Sequence, residues 1–552
     1  MSKLISNCRE YIYFRRNQNY YMKKLVFSLI LFPAAFFSSA QKVVINWGEE
    51  SKKELTFGSF VNGNGADMIK LCFEIKKKGF MGKNSTSTPV LTRYSDKLSE
   101  LAERVIEADE SGIIFNNLLS IKGKVFLFTS QYDNDSKSTT YYCQGLNIQT
   151  LNPDGKSINL GTFDAYKKSS QASVGYELSK DSTKVLMFGN SAYKKNENEK
   201  YYIGVLDNKM TKLWNKTIEL PYKDKFVAIE DHLVTNDGRV GVLIKHYDQE
   251  VSKEAILKDG SKVPSYKTKL LLYDQNNEKP VEYLLELNNK FVHTLQLVND
   301  NSDNLVLFGL YKEKYNGYIS GFFTATFDKN SNTATTKNIN QFPQELVEQI
   351  KIDRQGSDKE KDPGLSHVFR LAAVVDRTNG STDFILEYSS EVYVPPSSYM
   401  TSTGWVNRPG YWKYDYGDIL DINLQQDGKS VIARIPKMQS SVNVRFFSNF
   451  KALPYNDKLL VFYNDDDDNI DREIEKKPDP LHKFNKSVFV MGSIDKAGNV
   501  SREVLFRNKD NKLTTAVREC MQIDKKRIGL YAQKLGGLFT SGKDMVGIME
   551  IL

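Results

Sequence analysis

Short apolar strands separated by polar turns recur along the chain, and they recur in groups of four. Between residues 172 and 220 the group reads SVGYELS, KVLMFGNSAY, YYIGVLDN and KLWNKTIEL. The next group reads FVAIEDHLVTND, GRVGVLIKHYD, TKLLLYDQ and VEYLLEL, and a further one VHTLQLVND, NLVLFGLYKE, GFFTATFD and ATTKNINQF. Similar units fall at about 112–164, 366–437 and 444–508, with a three-stranded one at 514–552. Four strands bounded by Asn, Asp and Gly turns, repeated every 50 to 75 residues, predict the radially arranged blades of a β-propeller. The second strand of each unit is the most continuously apolar, as a strand covered on both faces must be.

The N-terminal region follows the plan less regularly. IKLCFEIKK, PVLTRYSDKL and LAERVIEAD match the last three strands of a unit, which leaves VVINWGE, residues 43–49, as a spare strand. The last unit ends at KDMVGIMEIL and lacks its outer strand. Pairing the spare strand with that unit closes the ring without leaving two open sheet edges. The fold class is therefore all-β, a single closed propeller over 41–552 with eight blades, or seven if the irregular first unit is not counted. Two β-sandwiches in tandem are the competing architecture, although no Pro- or Gly-rich linker divides the chain. Residues 343–350 predict a helical turn, leading into a charged loop at 353–364.

Composition supports the pattern: 30 Tyr and 31 Phe among 552 residues suit half-buried pleated surfaces. From Met22 the chain reads MKKLVFSLILFPAAFFSSAQ, with two lysines, an apolar run and small residues ahead of Gln41. That arrangement predicts a signal peptide within residues 1–40, an upstream extension before it, and an exported product, periplasmic or at the cell surface. No later run is long enough to predict a membrane span. Residues 1–40 hold six basic residues and one acid, so their removal takes the net charge from +8 to about +3. The remaining charges are interspersed, which argues against nucleic-acid binding. Cys72, Cys143 and Cys520 are isolated and read as small buried hydrophobes.

Few motifs carry chemistry. Gly537 and Gly542-Lys543 have phosphate-loop spacing, but Asp544 replaces the expected hydroxyl and no helix follows. The five histidines, His232, His246, His293, His367 and His482, are scattered without metal-ligand spacing. Two loops stand out. Asp465, Asp466, Asp467, Asp468 and Asp471 follow the strand KLLVFY, and clustered carboxylates suit Ca2+, here without the central glycine of a helical calcium loop. Residues 392–418 carry Tyr393, Tyr399, Trp405, Tyr411, Trp412, Tyr414 and Tyr416 beside three prolines. Rigid aromatic area of that kind serves protein or glycan recognition.

The runs FILEYSSEVYV, YWKYDYGDILDINLQQDGKSVIARIPKMQSS and LLVFYNDDDDNID, with the export segment, resemble a group of uncharacterised secreted proteins of Bacteroidota. The resemblance implies an exported propeller and brings no activity with it. The functional expectation is a non-catalytic propeller in the bacterial cell envelope that binds a protein or glycan. The alternative is a glycoside hydrolase or lyase with carboxylates at the central channel, for which Glu387, Asp415 and Asp418 are the candidates.

Overall fold

A computed structural model of the chain describes residues 43–51, 55–63, 67–78, 84–106, 113–164, 173–190, 196–251, 253–327, 334–355, 364–401, 404–534 and 543–552. Ile45–Met549 form one compact unit, and Val43–Val44 with Glu550–Leu552 are the described, extended residues of a second. The export segment expected within 1–40 and the loop at 537–542 lie outside the described residues.

The compact unit is an eight-bladed β-propeller of four-stranded antiparallel blades. Blade 1 is built from Thr56–Asn62, Met68–Lys78, Asn84–Tyr94 and Glu100–Val105. Blades 2 to 7 occupy residues 113–164, 173–223, 227–285, 291–341, 369–435 and 450–507. In each, the strands pair in chain order from the ring's centre outward. Blade 8 takes three layers from residues 514–551, and its outer strand is Val43–Trp47. Closure by the spare N-terminal strand is thus as the repeat pattern requires, and tandem sandwiches are excluded. The inner strand of blade 1, TFGSFVN, completes the irregular first unit.

Burial follows position in the blade. The second strands Lys184–Asn190, Val240–Tyr247, Leu305–Lys312 and Lys458–Asp465 are buried almost throughout, whereas Glu100–Val105 at an outer edge alternates with solvent. Each pair of neighbouring blades shares its own apolar cluster, so the core is distributed around the ring. Between blades 5 and 6, Phe308 and Phe384 stack with centroids 4.1 Å apart and planes 9° from parallel. Side chains of this size contribute about 1.5–3 kcal/mol each when fully buried, which explains where most of the aromatic excess resides.

The closing pair of strands in blade 8 relies on close backbone approach. Gly48 N–H donates to Val546 O and Ser51 N–H to Asp544 O, both at 2.8 Å, extending the pairing of residues 45–51 with 543–549. Trp47 lies across the bare backbone of Gly547, where an added Cβ would stand 2.7 Å from the indole. A side chain at that position would push the closing strand outward.

Antiparallel order places the turns between strands 1 and 2, and between strands 3 and 4, on one face of the ring. Most described turns there are tight and held by Asx geometry: Asp181, Asp237, Asp300 and Asp495 each accept backbone N–H groups through Oδ1. On this face Lys180 Nζ of blade 3 reaches Asn299 O of blade 5 at 3.1 Å and Asp376 of blade 6 at 3.0 Å. The opposite face carries the insertions: a hairpin at 255–264, the helix Gln344–Gln355, a long ribbon in blade 6 and the loop at 466–487. The helix exceeds the turn expected at 343–350 because Val347 and Ile350 bury against the blade 5 and 6 cluster.

Two buried polar clusters join blades. Arg377, wholly buried, pairs with Asp383 (2.7 Å) and Asp421 (3.0 Å) in its own blade and donates to Ile494 O of blade 7 at 3.2 Å. Burial, then the neighbouring Asp383, raises Asp421 well above the ordinary carboxylate range. Near the blade 3 to blade 4 connection, burial pushes Glu199 up to about 8, helped by its hydrogen bond with Asp224.

Removing a charge that holds two buried carboxylates leaves them uncompensated. Arg377→Met is expected to lower stability by about 3–5 kcal/mol in urea unfolding; a loss below about 1 kcal/mol would show that the cluster is not a clamp. For Glu199, the folded chain keeps a proton that the unfolded chain releases above its ordinary value of 4.5. Stability from this group is full below that value and is lost as pH rises toward about 8. Glu199→Gln retains a donor without ionising and should be more stable than the parent by roughly 1–3 kcal/mol at alkaline pH. Parallel stability-versus-pH curves for the two proteins would refute that assignment.

Candidate functional site

The insertion in blade 6 is a β-ribbon rather than an irregular loop. The second and third strands, Thr382–Val394 and Tyr411–Leu424, stay paired past the body of the blade, through Val394 opposite Tyr411. A bulge between Glu387 and Ser389 marks where the blade ends and the ribbon begins. Beyond it, Ser397–Thr401 and Gly404–Arg408 pair as a hairpin. Gln439–Val442 adds a third strand at the base, opposite Lys413–Tyr416, and Trp412 N–H donates to Asn443 Oδ1 at 2.9 Å. The ribbon therefore projects from a three-stranded root.

Cross-strand partners share a face of a sheet, so pairing decides which aromatics meet. Tyr393 stands opposite Trp412, and Tyr414 follows two residues on, on the same face. The Tyr393 and Trp412 centroids are 5.4 Å apart; those of Trp412 and Tyr414 are 6.3 Å apart with planes 17° from parallel. Tyr393 is 50% exposed and Trp412 45%, values unusual for rings of this size in the ring body. At the root Tyr416 is buried and its hydroxyl donates to Glu391 Oε1 at 2.7 Å, and Arg445 approaches the other Glu391 oxygen at 3.6 Å. Burial and the Glu391 carboxylate push Tyr416 far above the usual phenol range. The result is an exposed aromatic platform bordered by one acid and one base.

Of the predicted recognition residues, Tyr393, Trp412 and Tyr414 come together. Tyr411 sits at the end of the third strand on the opposite face, by register. Tyr399 and Trp405 fall on the distal hairpin, and their side chains lie outside the described part. Sequence inspection missed Glu391 and Arg445, because only the register brings them to the platform.

The acidic loop separates rather than converges. Asp465 is buried, accepts from Asn469 Nδ2 and Asp466 N–H at 2.8 Å each, and burial pushes it up to about 7. Asp466 caps a short 3-10 turn by accepting from Asp468 N–H, Asp467 pairs with Arg507, and Asp468 and Asp471 are exposed. Among the described residues no three His, Cys, Asp or Glu side chains are grouped to hold a metal ion.

The candidate acids are likewise engaged within blade 6. Glu387 pairs with buried Lys437 at 2.5 Å, Asp418 with Arg434 at 3.1 Å, and Asp415 with Lys413 at 2.7 Å. None of the three lies on an inner strand, so they do not form the channel-facing pair that the hydrolase alternative needs. Cys72, Cys143 and Cys520 are buried free thiols. No helix among the described residues is long and apolar enough to cross a membrane.

No protein-family model matches the chain, and no curated protein sequence matches it. Solved structures resemble it in the propeller plan. The β-propeller domain of the Trilobed protease from Pyrococcus furiosus is 11% identical, over 83% of this chain and 97% of that one, with a TM-score of 0.35. The WD40 domain of SCAP from fission yeast is 7% identical over 92% and 94%, with a TM-score of 0.37. A protein of unknown function from Dyadobacter fermentans is 10% identical over 93% and 98%, with a TM-score of 0.28. None of these likenesses says what this chain does.

Carboxylates aimed at different partners cannot enclose one ion. Millimolar Ca2+ is therefore expected to leave the thermal midpoint within about 1 °C of its value in chelator. A calcium-dependent rise of several degrees, abolished by Asp467→Asn, would reverse this reading.

Proposed function

We propose that the chain is an exported, non-catalytic recognition module of the bacterial cell envelope, and that the blade 6 ribbon holds a glycan. The observation that carries this reading is the near-parallel Trp412 and Tyr414 pair beside Tyr393, with Trp412 and Tyr393 exposed and Tyr414 half-buried. A sugar ring presents an apolar C–H face that stacks on such rings, and Glu391 and Arg445 flank the platform as hydroxyl partners. The three-stranded root fixes the platform before binding, so little ordering entropy is lost on association. Export rests on the expected signal segment before Gln41 and on the resemblance to secreted Bacteroidota proteins.

Trp412→Ala and Tyr414→Ala are expected to weaken binding of polysaccharides by about five- to thirtyfold each, a loss of roughly 1–2 kcal/mol. Affinity electrophoresis against a polysaccharide panel measures the effect, with the thermal midpoint as a folding control. Full retention on polysaccharide by both variants would sink the glycan reading. Loss of a protein partner, with no polysaccharide bound by the parent, would replace it with a protein-recognition role.

A further inference from the structure

A second site lies at the ring's seam. A cavity of about 740 Å³ opens between residues 47–51, which close blade 8, and the second to fourth strands of blade 1. That volume is in the range of small-molecule sites. Lys70, only 2% exposed, lines it together with buried Thr92 and Tyr94. The Lys70 ammonium sits 5.4 Å from the centroid of the Tyr94 ring, whose hydroxyl donates to Glu100 Oε1 at 3.1 Å.

Among the described residues two other lysines are deeply buried. Lys245 also lies over a tyrosine, Tyr266, at 5.1 Å, and has Glu230 at 3.3 Å. Lys437 has Glu387 at 2.5 Å. Lys70 has no hydrogen bond and no carboxylate within ion-pair distance among the described residues. Asp544, across the seam, is engaged by Gln533 Nε2 at 3.1 Å and by the Tyr531 hydroxyl. Lys70 attracts the Asp544 carboxylate electrostatically without touching it; a buried ammonium with no anion in contact is costly, and this one faces an open cavity.

The geometry points to a ligand site for a hydroxylated monocarboxylate, its carboxylate on Lys70 and its hydroxyls toward the mouth. The mouth selects against heavier charge. Glu49, Glu50, Glu100 and Glu103 line the cavity with Lys97, so carboxylates outnumber ammonium groups, and Glu50 is already held by Lys534 (2.5 Å) and Lys543 (2.9 Å). A phosphate dianion would meet that acidic rim unfavourably, whereas hydroxyls donate to carboxylates readily. Trp47 offers an apolar wall on the same side. Nothing in this site touches the ribbon of blade 6, so the two proposals stand or fall separately.

The full mature chain is titrated calorimetrically with glucuronate, gluconate, glucose and inorganic phosphate. Glucuronate or gluconate should bind at least tenfold more tightly than glucose, and phosphate should not bind. Lys70→Met should lose the preference for the acids while remaining folded, since an apolar side chain suits the space over Tyr94. Hydrogen exchange on the unmutated chain gives an independent readout: the bound acid should protect residues 68–78 and 84–94. Binding of neither acid, equal binding of glucose, unchanged affinity in Lys70→Met, or protection elsewhere on the ring would each overturn the site.

Discussion

A four-stranded sheet whose inner strands are apolar on both faces cannot stand alone in water. Every blade here meets that constraint in the same way, by burying each face against the next blade, and a row of such sheets has no resting place until it closes. The distributed clusters, from the Phe308 and Phe384 stack to the Tyr201 and Tyr273 hydroxyl contact of 2.6 Å, are local consequences of that requirement. So is the use of residues 45–51 as an outer edge, since a ring with one open seam would expose two sheet edges and two apolar faces. The insertions are what the ring did not need for its own closure. They gather on the face where strands 2 and 3 connect, which tolerates insertion because both strands are already fixed by their neighbours.

Much of this architecture is written in local pattern. KVLMFGN and VGVLIKHY announce second strands because nothing but burial on both faces explains such continuous apolarity. VVINWGE is legible as a closing strand because the final unit lacks one. TFGSFVN is not legible, since Thr56, Gly58 and Ser59 leave it with little of the apolar pattern that marks a strand. The site was partly visible. Seven aromatics between Tyr393 and Tyr416 drew attention by density, but which of them cooperate depends on Tyr393 standing opposite Trp412, a register that composition does not encode. For the aspartate run, too, spacing alone does not give direction: adjacent carboxylates leave a turning backbone toward Asn469, Asp468 and Arg507. The seam cavity had no signal at all, because Trp47, Lys70 and Glu103 come from three segments that only ring closure assembles.

The buried charges divide by what they hold. Arg377 and Lys437 are tied to carboxylates in blade 6, the same blade that supports the projecting ribbon, and Arg377 also reaches the backbone of blade 7. A lever that extends from a sheet transmits force to its root, and the root here is stiffened by ion pairs as well as by packing. Binding at the platform would therefore act on a rigid scaffold rather than on a yielding loop.

The closing strand has a temporal side. Residues 45–51 are made well before residues 543–549, so the two halves of blade 8 are separated by all the other blades during synthesis. Contacts between such distant segments form slowly, and until they do the nascent protein is an open arc with an apolar flank at each end. Closure must therefore wait until the last blade has been made. Once shut, the ring opens only by breaking a strand pairing and an interblade cluster together, which favours slow unfolding over high equilibrium stability as the means of persistence.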